Sequence, residues 1–153
     1  MPIPDVASTV IAQTRPKTAV QVSRGGSEKK SNELVTWEFL RMYFTEVQAA
    51  GIMGNLKQEH NFFTTGNGIC QWEEGRFEKL KEYPGNETLQ GQLNFMQEEL
   101  QGPYKEVYES LKRASTIEEA TIIFQNKFER PSIPAQSQRI KYAEEIYKKY
   151  ANN

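Results

Sequence analysis

Apolar residues recur along this chain at intervals of three and four, and sustained alternation is absent, so the pattern predicts helices throughout. Leu34, Trp37, Phe39, Leu40 and Phe44 mark a first helix over 32–43. Thr45-Glu46-Val47-Gln48 is a capping-box pattern that opens a second. On it Val47, Ala50, Gly51, Ile52, Met53, Gly54 and Leu56 are small or apolar, which makes it the expected central helix. Gly51 and Gly54 cost helix propensity, and close approach of a neighbouring helix is the expected compensation. Further helices are predicted over 75–83, 88–101 and 103–113, each ended or entered through Pro and Gly. Thr116-Ile117-Glu118-Glu119 is a second capping box, and the helix it opens stops at Glu129-Arg130-Pro131, because a residue before proline leaves the helical region. A last helix covers 135–150. The sum is an all-α domain of six or seven helices with short connections.

Two segments break the pattern. Residues 61–71 alternate Thr, Asn and Gly with aromatics and read as a loop, with a minor β turn or hairpin at Gly66-Asn67-Gly68. Residues 1–31 read as an arm or linker ahead of a domain over 32–153. Pro2, Pro4, Pro16 and Gly25-Gly26 oppose a long helix there, leaving a helical turn at 6–12 and an extended segment at 18–22. Its lysines and arginines suit a solvated linker, with docking to another protein as the sharper alternative.

Composition then removes chemistries. With 153 residues the chain can bury a core without disulfides or metal. Its 19 basic and 20 acidic residues give no global argument for nucleic acid. The start of the chain has neither the basic region nor the apolar run of a secretory leader, and no stretch predicts membrane insertion. Cys70 is the only cysteine, His60 the only histidine and Asp5 the only aspartate. No metal or cofactor site is expected, and a Ser-His-Asp triad would have to recruit Asp5 from the arm. Cys70 with His60 could form a thiol nucleophile and base, but a loop position between Ile69 and Gln71 suits a small packing residue better.

What remains centres on 47–76. Glu59 follows the small, apolar run and directly precedes the helix break, so its carboxyl is expected at the edge of a cleft, half buried. Burial disfavours the charged form of a carboxyl, as a general acid requires, while a solvated glutamate is the plainer reading. The loop supplies Thr65, Asn67, Gln71 and Trp72, with His60 at the cleft edge: amides, a hydroxyl and an aromatic plane that suit a neutral polyhydroxylated ligand. Loop satisfaction is the competing reading of Gln71, and core packing that of Trp72. Glycoside hydrolysis usually needs a second carboxylate. Glu73 and Glu74 on the same loop are the candidates, together with Glu129, whose default reading is a buried structural pair with Arg130.

The run AAGIMGNLKQEHNF, followed by GNGICQW and GRFEKL, resembles the phage tail-type lysozyme family. Leu93 to Leu100, the block from Ser115 to Pro131 and Arg139-Ile140-Lys141-Tyr142-Ala143 are similar to it as well, so the resemblance spans 32–150. It implies a lysozyme-like fold and cleavage between N-acetylmuramic acid and N-acetylglucosamine in bacterial peptidoglycan, in a virion- or tail-associated setting or released to the cell wall. Glu59 matches the family's catalytic glutamate, Gln71 and Trp72 its cleft loop, and Glu129-Arg130-Pro131 its helix-terminating motif. His60 stands where the family usually has serine, and the loop over 63–68 is shorter than is typical. The readings left beside hydrolysis are a lytic transglycosylase giving 1,6-anhydro ends and a degenerate wall-binding module of a tail or secretion machine.

Overall fold

Seven α-helices and one π-helical turn make up the computed structural model, which describes residues 29–152. The arm's expected turn at 6–12 and extended segment at 18–22 lie outside those residues. The helices are α1 (Asn32–Leu40), α2 (Glu46–His60), α3 (Glu74–Lys81), α4 (Leu89–Gln101), α5 (Lys105–Arg113), α6 (Ile117–Phe124) and α7 (Gln136–Tyr150), with the π turn at Gln125–Glu129 between the last two. No strand occurs among the described residues, and of the two alternatives expected near Gly66 the β turn forms, with Gly68 N donating to the Thr65 carbonyl at 3.0 Å.

Capping chemistry fixes most helix starts. Ser31, Thr45, Thr88 and Thr116 each accept a backbone N–H from the first turn of the helix they precede. At Thr45 the capping box is reciprocal, since Gln48 Oε1 accepts from the Thr45 backbone. At Thr116 it is offset: Glu119 reaches back to the N–H of Ser115. The first helix is shorter than its apolar pattern suggests, because Met42 and Tyr43 bond three residues back and tighten the chain into a turn after Leu40.

The second helix is the axis of the fold. Its residues from Gln48 to Leu56 are all buried, and it packs most extensively against α7 and α6. The two glycines make those contacts as short as they are. A Cβ on Gly51 would lie 2.6 Å from Ala120 Cβ, and one on Gly54 would lie 2.4 Å from the Arg139 carbonyl and 2.7 Å from Ala143 Cβ. Real side chains do not approach so closely, so both positions must be glycine for the helices to sit where they do.

Gly54→Ala should therefore push α7 away from α2 and cost about 1–3 kcal/mol of unfolding free energy. Urea unfolding measures it; a change below about 0.5 kcal/mol, the ordinary range for inert surface sites, would mean the contact yields freely.

Candidate active site

Glu59 lies in the last turn of α2, and Asn61 ends that helix in the left-handed conformation at φ 51°. Phe62 follows at φ 65° and is buried, and its carbonyl accepts a 2.9 Å bond from Asn32 Nδ2 of α1. The break after Glu59 is thus pinned from outside the loop. Glu59 Oε2 accepts from Arg139 Nη2 at 2.8 Å, and the two side chains are 16% and 3% exposed. Arg139 comes from α7 and is held at two further points: Nη1 donates to Asn55 Oδ1 at 3.1 Å and Nε to the Pro134 carbonyl at 2.7 Å. Asn55, wholly buried, donates in turn to the carbonyls of Gly51 and Thr121. A chain of satisfied polar groups therefore runs from the centre of α2 to the carboxyl at its end.

That carboxyl opens on a cavity of about 240 Å³ lined by Gln58, Glu59, Gln71, Glu73, Glu129, Arg130, Pro131, Ser132, Ile133 and Arg139. A second cavity of about 370 Å³ is lined by Cys70, Gln71, Trp72, Glu73, Glu74, Gly75, Arg76, Lys79, Tyr104, Glu129 and Arg130. Gln71, Glu73, Glu129 and Arg130 are walls of both. Three non-glycine residues on these walls adopt left-handed backbone: Gln71 at 51°, Glu74 at 50° and Arg130 at 48°. Each costs conformational energy that the surrounding packing has to hold in place.

The loop facing Glu59 is closed by its own bonds. Asn67 Nδ2 donates to the Trp72 carbonyl at 2.6 Å, Gln71 Nε2 donates to the Gly68 carbonyl at 2.8 Å, and Gln92 of α4 bonds Ile69 N and the Thr64 and Asn86 carbonyls. Trp72 is only 2% exposed, set edge-on to Phe95, and its Nε1 donates to Glu99 Oε1 at 2.8 Å. Its indole is a core ring and presents no open face to a sugar. Arg76 fixes the same wall with a two-pronged pair to Glu99, a 2.9 Å bond to the Phe128 carbonyl, and a guanidinium set against both the Tyr104 and Phe128 rings.

The other expected site residues divide. His60 Nε2 and Thr65 Oγ1 are 3.0 Å apart, and Thr65 borders a separate cavity with Phe77, Lys81 and Asn86. Glu73 is exposed and shares the cavity of Glu59; Glu74 is exposed and lines the larger one. The pair expected between Glu129 and Arg130 is not formed. Arg130, turned by its left-handed backbone, donates to the Tyr104 hydroxyl at 3.2 Å, while Glu129 closes the π turn with an enclosed Oε2 that has no hydrogen-bond partner among the described residues. Burial, and then the charge of Glu59, push the Glu129 carboxyl well above the ordinary carboxylate range, against the pull of Arg139, Arg76 and the Cys70 thiol. Burial also pushes the Cys70 thiol up, with Glu129 and Glu99 adding to the effect, which opposes a thiolate nucleophile. Arg139 and Glu99, the two groups that position the site, were not singled out from sequence; their partners lie 80 and 23 residues away along the chain.

Among the described residues no three His, Cys, Asp or Glu side chains converge to hold a metal ion, and no helix is long and apolar enough to cross a membrane. A family model described as phage tail lysozyme matches residues 31–150. No curated protein and no solved structure matches the chain.

The raised proton affinity of Glu129, a half-buried residue with one enclosed carboxyl oxygen, has a stability consequence. Unfolded, it releases its proton near the ordinary 4.5; folded, it holds the proton to higher pH. The folded state thus binds more protons above 4.5, and its advantage declines as pH rises through that window. Urea unfolding across pH should show the wild type losing stability relative to Glu129→Gln as pH rises. Parallel curves would mean that Glu129 ionises as freely in the folded protein as in the unfolded one.

Proposed function

Because the chain belongs to the phage tail lysozyme family, we propose that it hydrolyses the β-1,4 bond between N-acetylmuramic acid and N-acetylglucosamine in bacterial peptidoglycan, with Glu59 as the general acid. The observation that carries this reading is the position of Glu59: at the end of the buried central helix, its carboxyl opening into a cleft and held by Arg139 at 2.8 Å. In the proposed reaction Glu59 gives its proton to the glycosidic oxygen as an oxocarbenium-like centre develops at C1. The Arg139 guanidinium stabilises the carboxylate that this leaves behind. Glu73, the exposed carboxylate on the same cavity, is assigned to the attacking water. Gln71 lies on the wall between the two cavities, where a glycan strand would cross from one to the other. The setting is the cell wall, reached with a virion tail or a secretion machine to which residues 1–31 would attach.

Glu59→Gln keeps the size of the side chain and removes the proton that is transferred. Lysis of purified peptidoglycan should fall about 100- to 10,000-fold with the helical circular dichroism unchanged. Equal clearing by both proteins would sink the assignment of Glu59, and clearing by neither would leave a wall-binding module. Mass spectrometry of the wild-type digest should show new reducing ends on N-acetylmuramic acid; 1,6-anhydro ends would show that the C6 hydroxyl attacks instead of water.

Cys70→Ala should be nearly silent in the same assay, since the thiol is buried and its neighbours oppose ionisation. Loss of activity, with free stem peptides released, would replace the glycosidase by an amidase.

A further inference from the structure

We propose that Glu129 and Glu59 act as a carboxyl pair sharing one proton at neutral pH, with Glu129 the positioning residue that keeps that proton available to Glu59. The proposal rests on the glycosidase reading above and deepens it. Its ground is a count of cations. Three arginines surround Glu129, and the hydrogen bonds of each go elsewhere: Arg139 to Glu59, Asn55 and the Pro134 carbonyl, Arg76 to Glu99 and the Phe128 carbonyl, Arg130 to the Tyr104 hydroxyl. None forms an ion pair with Glu129, although the residue lines the same cavity as Glu59 and its Oε2 is sealed from solvent. The remaining polar neighbour is the Cys70 thiol from the loop, a weak donor. Glu73, exposed on the shared wall, adds further negative charge.

An enclosed carboxylate without a cation is costly, and a second carboxylate nearby makes it costlier, so the pair retains a proton that two solvated glutamates would have lost. The ionisations then belong to the pair and not to either residue. In the reaction the pair's proton goes to the leaving oxygen as the C1–O bond breaks. When water adds to C1, Glu73 takes the proton that water loses, and exchange with solvent restores one proton to the pair, so the cycle closes without a cofactor. A purely structural Glu129 would serve only to fill the end of the π turn.

The test compares wild type, Glu129→Gln and Glu59→Gln in two measurements. In infrared titration of the folded proteins, wild type should keep a protonated-carboxyl C=O band at neutral pH that Glu129→Gln lacks. In pH–rate profiles on soluble glycan-strand fragments, Glu129→Gln should keep KM while the alkaline limb of kcat moves at least about one unit toward acid, a tenfold loss above neutrality, because no like charge then opposes the single remaining ionisation. A limb that coincides with that of wild type, or a wild type with no protonated carboxyl at neutral pH, would overturn the proposal. If wild type cleaves no glycan, the glycosidase reading falls by itself, and the carboxyl band alone decides whether the pair exists. Should Glu129→Gln fail to fold, the band in wild type and in Glu59→Gln decides in the same way: its absence from wild type refutes the pair, and its weakening in Glu59→Gln supports it.

Discussion

The absence of a side chain at Gly54 lets the backbone of α7 come to within a carbonyl's reach of α2, and the guanidinium of Arg139 arrives with it. A Cβ on Gly54 would lie 2.4 Å from the carbonyl of Arg139 itself. The residue that needs the close approach is therefore the residue that the approach delivers to the cleft. Once there, Arg139 is 2% exposed and must satisfy its donors inside the protein. Asn55, one residue beyond Gly54 on the same helix, takes one of them, the Pro134 carbonyl another, and Glu59 a third. The position of the proposed acid is thus inherited from helix packing, and the loop that faces it plays no part in setting it.

The opposite wall has its own anchor. Arg76 and Glu99 form a partly buried pair, and Trp72 Nε1 shares Glu99 Oε1 with Arg76 Nη2. Partnered in this way, the two charges can be enclosed at tolerable cost, whereas removing one member would strand the other. The pair ties the cleft loop to α3 and α4, and the bond from Arg76 to the Phe128 carbonyl ties both to the π turn that carries Glu129. Rigid attachment on both sides is what allows Gln71 and Arg130 to hold left-handed backbone, which neither residue type favours.

How far the sequence disclosed this depends on whether the cause was local. The caps at Thr45 and Thr116, the stop at Gly102 and the burial of Gly51 and Gly54 are encoded within a turn or two of chain, and they were legible there. The roles of Arg139, Glu99 and Gln92 depend on partners brought in by the fold, and no spacing announces them. Adjacency was also misleading. Glu129 and Arg130 are neighbours of opposite charge, yet the left-handed turn at Arg130 sends its side chain to Tyr104. Trp72 is ambiguous in sequence for a related reason: an aromatic beside a polar loop suits a binding face or the core until a buried acceptor 27 residues later claims the indole N–H.

Charge supply is the constraint that joins the two walls. The cleft contains three carboxyls, Glu59, Glu73 and Glu129, of which Glu73 is exposed and can be screened by solvent. The other two compete for cations inside the protein, and the geometry distributes those unevenly. Arg139 favours Glu59 because its other donors fix it on that side, and Arg76 is drawn to Glu99 by two parallel bonds and two aromatic faces. Moving either guanidinium to Glu129 would break a bidentate pair or unsatisfy Asn55, whereas a neutral carboxyl needs no cation at all. One proton retained by the two carboxyls together is consistent with where the arginines are needed for packing. The proposed general acid requires a proton held near neutral pH beside a surface open to substrate, and this distribution of charge would supply one without any group dedicated to the purpose.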